Sequence, residues 1–107
     1  MKVWLDDNHT GYRFPPDGSW VHVHNKAELE RLLDECADEI AVMSFDNDLG
    51  PAPEPTGYDI IKWFAGERLS RYPKEVRIHS ANIVDAENIW YFDRNVRKHL
   101  LGTDAGT

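Results

Sequence analysis

The sequence is poor in cysteine, in positive charge and in long apolar runs. Cys36 is its only cysteine, which excludes a disulfide framework and a cysteine-based zinc site and fits a reducing compartment. The formal net charge is -7, whereas an extended nucleic-acid groove needs clustered Lys and Arg. No apolar run approaches the roughly 20 residues of a membrane helix, and residues 1–3 open a strand-like run rather than a signal peptide. We therefore expect a cytoplasmic protein without a membrane partner.

The length and composition are those of one small globular domain. The chain has 107 residues, of which 41% are hydrophobic and 29% are charged, values typical of ordinary globular proteins. Helical periodicity stops near Leu100. We predict a single domain over residues 1–102 and a flexible C-terminal tail over residues 103–107.

Strand-like and helix-like segments alternate along the chain, which is typical of an α/β fold. The strand-like segments are 2–5, 20–24, 40–45 and 76–80. No helix is predicted between the first two strands. The first predicted helix begins at a capping pattern of Asn25 and Glu28 and ends near Glu39. The second predicted helix begins at Thr56 and ends before Pro73. The last helix has apolar residues at helical spacing: Ile89, Phe92, Val96 and Leu100.

The burial patterns of the strands predict their order in the sheet. The first and third strands are apolar on both faces, while the second and fourth alternate as edge strands do. With right-handed crossovers this gives a short parallel sheet in the order 2-1-3-4, with helices on both faces in a three-layer sandwich. The chain leaves the first and third strands in opposite directions, so a crevice is expected at their carboxyl ends.

Aspartates follow both strands that border this crevice: Asp6, Asp7, Asp46 and Asp48. Grouped carboxylates repel one another unless a cation neutralises them, and Mg²⁺ (or Mn²⁺) prefers oxygen ligands completed by water and substrate phosphate. We predict a metal site of Asp6, Asp7 and Asp46 that accepts a phosphate-bearing ligand. Each aspartate taken alone is equally compatible with a turn or a helix cap.

Residues after the fourth strand could add polar groups to the crevice. Ser80 could supply a hydroxyl and Asn82 an amide, and His79 could face the rim. A serine at a strand end is more often a turn residue, and an isolated histidine is more often a surface or core residue.

Three segments resemble the receiver domain of two-component signalling: Trp4-Leu5-Asp6-Asp7, Ser44-Phe45-Asp46 with Leu49-Gly50 after it, and Ile78-His79-Ser80-Ala81. The resemblance implies a flavodoxin-like fold. It also implies that Asp6 and Asp7 hold Mg²⁺, that Asp46 is the phosphoacceptor and that Ser80 contacts the phosphoryl group.

The chain departs from ordinary receivers and is closer to a compact offshoot of them. From its sequence we expect no fifth strand, no helix after the first strand and no lysine equivalent to the one that ends the fifth strand of a receiver. The motifs, including Thr-Gly-Tyr-Asp and His-Ser-Ala-Asn, resemble the cyclic-phosphate processing receiver-like family from residue 3 to about residue 85. That family is proposed to act on cyclic phosphates, such as 2′,3′-cyclic RNA ends or a related cyclic nucleotide. Its members carry an arginine soon after the Asp-Asp pair, for which Arg13 is the candidate here.

The resulting hypothesis is a metal-dependent phosphoesterase whose partner is a nucleotide or an RNA-end phosphate. Asp46 would attack phosphorus or orient a water, Asp48 or His79 would protonate the leaving oxygen, and Ser80, Asn82 and Arg13 would bind substrate. One alternative is a receiver-like phosphoacceptor or phosphate-binding signalling module without turnover. Another is a haloacid-dehalogenase-like phosphatase, although its cap is missing and the order of its acidic motifs is reversed. The sequence leaves the oligomeric state open and is compatible with a monomer.

Overall fold

The computed structural model of the chain describes residues 1–7, 15–51, 53–80 and 82–102, and it contains a sheet of four parallel strands. The strands are β1 (Lys2–Leu5), β2 (Trp20–Val23), β3 (Val42–Phe45) and β4 (Glu75–Ile78). Their spatial order is β2-β1-β3-β4, so the predicted α/β class and the predicted strand order are confirmed. The predicted tail over residues 103–107 lies outside the described residues.

Helices follow the second, third and fourth strands: α1 (Lys26–Glu35), α2 (Gly57–Glu67) and α3 (Ile83–His99). Both predicted N-caps are confirmed. The Asn25 side chain accepts a hydrogen bond from the Glu28 N–H, and Thr56 forms a reciprocal capping box with Asp59. These caps satisfy N–H groups that have no partner within the helix. Within the described ranges, no helix has the length and apolar character needed to cross a bilayer.

The first helix is shorter than predicted, ending at Glu35 rather than near Glu39. Its last turn contains no basic residue that would offset the negative end of the helix dipole. Instead, the Arg71 guanidinium donates hydrogen bonds to the carbonyl oxygens of Leu33 and Cys36, at 3.0 and 2.8 Å. A side chain distant in sequence therefore satisfies carbonyls at the helix end, which local periodicity does not reveal.

All three helices contribute to a single buried cluster on one face of the sheet. The strand members of the cluster alternate along β1 and β3, and Val3, Leu5, Met43 and Phe45 are all fully buried. The helix members of the same cluster are Leu29, Leu33, Ile60, Ile61, Phe64, Ala65, Ile89 and Val96. Our prediction of helices on both faces is therefore corrected for the described part of the chain. The connection from β2 to β3 contains α1, and the connection from β3 to β4 contains α2. Both connections run in the same direction across the sheet, so right-handed crossovers place α1 and α2 on the same side.

The opposite face of the sheet carries an aromatic and polar layer. Trp4 meets Trp20 edge to face with ring centroids 5.6 Å apart, and it stacks on the His79 ring at 3.8 Å. Ser44 lies beside Trp4 in the β1–β3 register. This layer lies directly under the carboxyl ends of β1 and β3, so it can support side chains that project from those ends.

Tyr72 links the turn after α2 to the last helix. Its hydroxyl donates a hydrogen bond of 2.8 Å to Asp93, which also accepts a hydrogen bond from Arg97. Burial, and then the negative charge of Asp93, raise the pKa of Tyr72. The neutral hydroxyl therefore stabilises the folded state below the unfolded pKa of about 10, and this contribution falls as the pH rises above that value.

A Tyr72→Phe variant is expected to lower the free energy of unfolding by about 1 kcal/mol at neutral pH, because Asp93 loses a hydrogen-bond donor. The wild type should also lose stability between about pH 10 and 11 more steeply than the variant. Urea unfolding followed by tryptophan fluorescence measures both effects. Equal stability and equal pH dependence in the two proteins would show that this hydrogen bond contributes nothing.

Candidate metal centre

Three carboxylates converge at the carboxyl ends of β1 and β3. Leu5 and Phe45 are paired across these strands, so the residues that follow them leave the sheet at the same level. The Asp46 N–H donates to the Leu5 carbonyl oxygen at 2.9 Å. One carboxylate oxygen from each of Asp6, Asp7 and Asp46 lies within 4.8 Å of the other two. The structure thus brings together the three residues that the sequence predicted as metal ligands.

The chemistry of this cluster suits a hard divalent cation. Asp6 is only 3% exposed, and Asp7 and Asp46 are half-buried. Holding three acidic groups together with little solvent is costly unless positive charge or hydrogen bonds offset their repulsion. The three oxygens, within 4.8 Å of one another, are close enough together for one cation to bind all of them after small side-chain movements. The cluster could hold a metal ion, and its oxygen ligands alone do not determine which metal.

The start of α2 fixes the backbone next to Asp46. The Gly57 N–H donates to the Asn47 carbonyl oxygen at 2.8 Å, and the Tyr58 N–H donates to the Asn47 side chain at 3.0 Å. A Cβ atom on Gly57 would lie 2.0 Å from the Asp46 carbonyl oxygen. Position 57 therefore requires glycine for this close approach. Asn47, to which the sequence assigned no role, is 8% exposed and connects the acidic segment to the helix.

Asp48 lies in an exposed turn after the acidic cluster. Its carboxylate accepts a hydrogen bond of 3.3 Å from the Gly50 N–H. Gly50 has a φ angle of 121°, which a side chain would disfavour. The predicted role of Asp48 as a proton donor stays a prediction, and its observed contact is that of a turn residue.

Ser80 and Asn82 are placed at the start of α3. The Asn82 side chain caps the helix by accepting hydrogen bonds from the N–H groups of Val84 and Asp85, at 3.0 and 3.2 Å. The Ser80 hydroxyl accepts a hydrogen bond of 3.2 Å from the Asn82 N–H. These contacts shape the helix terminus, and the predicted contacts of both residues with substrate stay predictions. Arg13 lies outside the described residues.

His79 is directed at the acidic cluster. Its Nε2 lies 3.2 Å from Oδ2 of Asp6, and its Nδ1 lies 2.7 Å from the Ser44 hydroxyl. Its side chain is 12% exposed. The sequence predicted His79 near the rim and gave Ser44 no role, although a polar residue within an otherwise apolar strand is a usable signal.

A second histidine supports the same strand end. Nε2 of His22 lies 2.6 Å from the backbone carbonyl oxygen of Asp6. A carbonyl oxygen only accepts, so His22 is the donor. The backbone of Asp6 is therefore held from β2 while its side chain is contacted from β4.

The sheet order and the acids at the ends of its two central strands define a receiver-like α/β domain. The family model described as the cyclic-phosphate processing receiver domain matches residues 1–92. The chain belongs to this family, which confirms the predicted family and the receiver-like, flavodoxin-like fold class. Among curated proteins and among solved structures, no match to the chain was found.

Proposed function

We propose that this protein is a Mg²⁺-dependent phosphoesterase that opens cyclic phosphates, at 2′,3′-cyclic RNA ends or in a related cyclic nucleotide. The observation that carries the proposal is the convergence of Asp6, Asp7 and Asp46 within 4.8 Å, in a member of a cyclic-phosphate processing family. Mn²⁺ would replace Mg²⁺ in the same oxygen site. The net charge of -7 favours recognition of a single phosphate over binding along an extended nucleic acid.

The proposed reaction uses Asp46 as the nucleophile. Its carboxylate oxygen would form a bond to phosphorus while one ring P–O bond breaks, and the leaving oxygen would take a proton from Asp48. Water would then attack the phosphorus of the acyl phosphodiester, the bond from Asp46 to phosphorus would break, and Asp48 would take up the proton released by the water. When bound, Mg²⁺ offsets negative charge on the non-bridging oxygens. In the simpler variant of this reaction, Asp46 orients a water that attacks phosphorus directly.

Other residues at the strand ends would complete the site. Asp48 is the more accessible proton donor, because it is exposed and follows Asp46 by two residues. Ser80 follows β4, the strand beside β3, and its hydroxyl would contact the phosphoryl group. Asn82 and Arg13 are the further residues that we propose for substrate binding.

A second function is favoured by the contacts of Asp48 and His79, the two candidate proton donors. The Asp48 carboxylate already accepts the Gly50 N–H, and both ring nitrogens of His79 contact protein groups. A phosphoacceptor or phosphate-binding module without turnover needs no proton donor. In that case Asp46 would hold a phosphoryl group as part of a signal.

Two incubations distinguish these functions. With Mg²⁺ and adenosine 2′,3′-cyclic phosphate, we expect conversion to a linear monophosphate, measured by chromatography, that requires Mg²⁺ and is lost in Asp46→Asn. An Asp48→Asn variant should be slower by about 10²–10⁴-fold if Asp48 is the acid. With Mg²⁺ and acetyl phosphate, a stable phosphoryl adduct on Asp46 in the intact mass, without nucleotide conversion, would instead support the signalling module. Absence of both conversion and adduct would contradict both functions.

A further inference from the structure

We infer that Ser44 and His79 form a hydrogen-bonded relay that positions Asp6 as a metal ligand. The inference rests on the proposed metal-dependent function. It assigns a role to Ser44, which the proposed reaction does not use, and it makes His79 a positioning residue rather than a proton donor to substrate.

The relay crosses three strands of the sheet. Asp6 follows β1, Ser44 lies within β3 and His79 follows β4. The backbone N–H of His79 donates to the Phe45 carbonyl oxygen at 2.9 Å, and this hydrogen bond holds the histidine backbone beside β3. Ser44 and Asp6 are each 3% exposed. The relay is therefore buried at the carboxyl edge of the sheet.

The Asp6 carboxylate fixes the direction of one of the two hydrogen bonds. A carboxylate accepts, so Nε2 of His79 carries a proton and donates to Oδ2 of Asp6 at 3.2 Å. The Ser44 hydroxyl lies 2.7 Å from Nδ1 and anchors the other side of the ring, as groups behind metal ligands commonly do.

Trp4 restricts the rotation of the imidazole. The Trp4 and His79 rings are stacked with centroids 3.8 Å apart and an angle of 6° between their planes. Contact of Nε2 with Oδ2 of Asp6 fixes the rotation of that carboxylate, and therefore the direction of its second oxygen. A ring held at both nitrogens and across one face is suited to orienting Asp6 and poorly suited to reaching a substrate oxygen.

The relay predicts specific losses of cation affinity. His79→Leu should weaken Mn²⁺ binding by about 10–100-fold, as expected when a group that orients a metal ligand is lost. Ser44→Ala should also weaken Mn²⁺ binding, by a smaller factor. His79→Gln should restore part of the affinity, because its amide N–H can take the place of Nε2. His99→Leu, at the far end of α3, is the matched control and should bind as the wild type does.

Mn²⁺ affinity is measured from the free Mn²⁺ signal in electron paramagnetic resonance, alongside urea unfolding without metal to separate binding from stability. Nitrogen NMR of the imidazoles in the metal-free protein should show the Nε2–H tautomer at His79. Wild-type affinity in both His79→Leu and Ser44→Ala would overturn the relay while leaving the metal site intact. Absence of Mn²⁺ binding by the wild type would overturn the proposed function and the relay together. An Nδ1–H tautomer in the wild type would overturn the relay by itself.

Discussion

Asp46→Asn is expected to weaken Mg²⁺ and Mn²⁺ binding by at least about tenfold, which corresponds to about 1.4 kcal/mol. In the wild type the backbone N–H of Asn47 donates to the Asp46 carboxylate at 2.8 Å. Asparagine at position 46 keeps the size of the side chain and an oxygen that can accept the same hydrogen bond. The substitution removes one of three negative charges that lie within 4.8 Å of one another. The loss of affinity is therefore a loss of charge and of ligand strength, not of shape.

The same variant should be at least as stable as the wild type without metal, because the remaining carboxylates repel each other less. Stability rises with Mg²⁺ only when the ion binds the folded state better than the unfolded state. We therefore expect Mg²⁺ to raise the melting temperature of the wild type and to have little effect on that of the variant. Asp48→Asn is the matched control, since Asp48 is exposed and outside the cluster. An equal response of wild type and Asp46→Asn to Mg²⁺ would contradict the metal assignment.

Gly57→Ala is expected to destabilise the fold by about 3 kcal/mol or more. The added Cβ would lie 2.0 Å from the Asp46 carbonyl oxygen and 3.0 Å from the Asn47 Cα. These neighbours are backbone atoms, so relief of the clash requires α2 to move away from the acidic segment. That movement would break the hydrogen bonds from Gly57 and Tyr58 to Asn47.

The matched control for this prediction is Gly66→Ala in the same helix. Apart from its chain neighbours and the backbone of its own helix, a Cβ at Gly66 would meet no described atom within 4 Å, so the substitution should stabilise the protein by about 0.5–1 kcal/mol through helix propensity. Urea unfolding measures both variants, and Mn²⁺ titration of folded Gly57→Ala should show weaker binding. Similar stabilities for the two variants would contradict the packing of α2 against Asp46.

Local sequence patterns are sufficient to predict the sheet and the acidic cluster. Apolar runs followed by aspartates mark β1 and β3 as neighbouring central strands, and parallel strands end at a common edge. This combination predicts that Asp6 and Asp46 lie together. The capping patterns of Asn25 and Thr56 are equally informative, because each cap involves residues only three positions apart.

Long-range contacts account for what the sequence does not reveal. The end of α1 depends on Arg71, which lies more than thirty residues away along the chain. The relay depends on Ser44 and His79, which only the pairing of β3 with β4 brings together. In the described ranges the helices lie on one face of the sheet because successive crossovers run in the same direction, which individual strand and helix patterns do not reveal.

If Asp6, Asp7 and Asp46 share one divalent cation, anomalous diffraction from crystals grown with Mn²⁺ will locate that ion. We expect one anomalous peak at the carboxyl ends of β1 and β3, within coordination distance of an oxygen from each of the three aspartates. A structure with all three carboxylates ordered and no peak among them, at a Mn²⁺ concentration well above cellular levels of divalent metal, would show that the three aspartates do not share an ion.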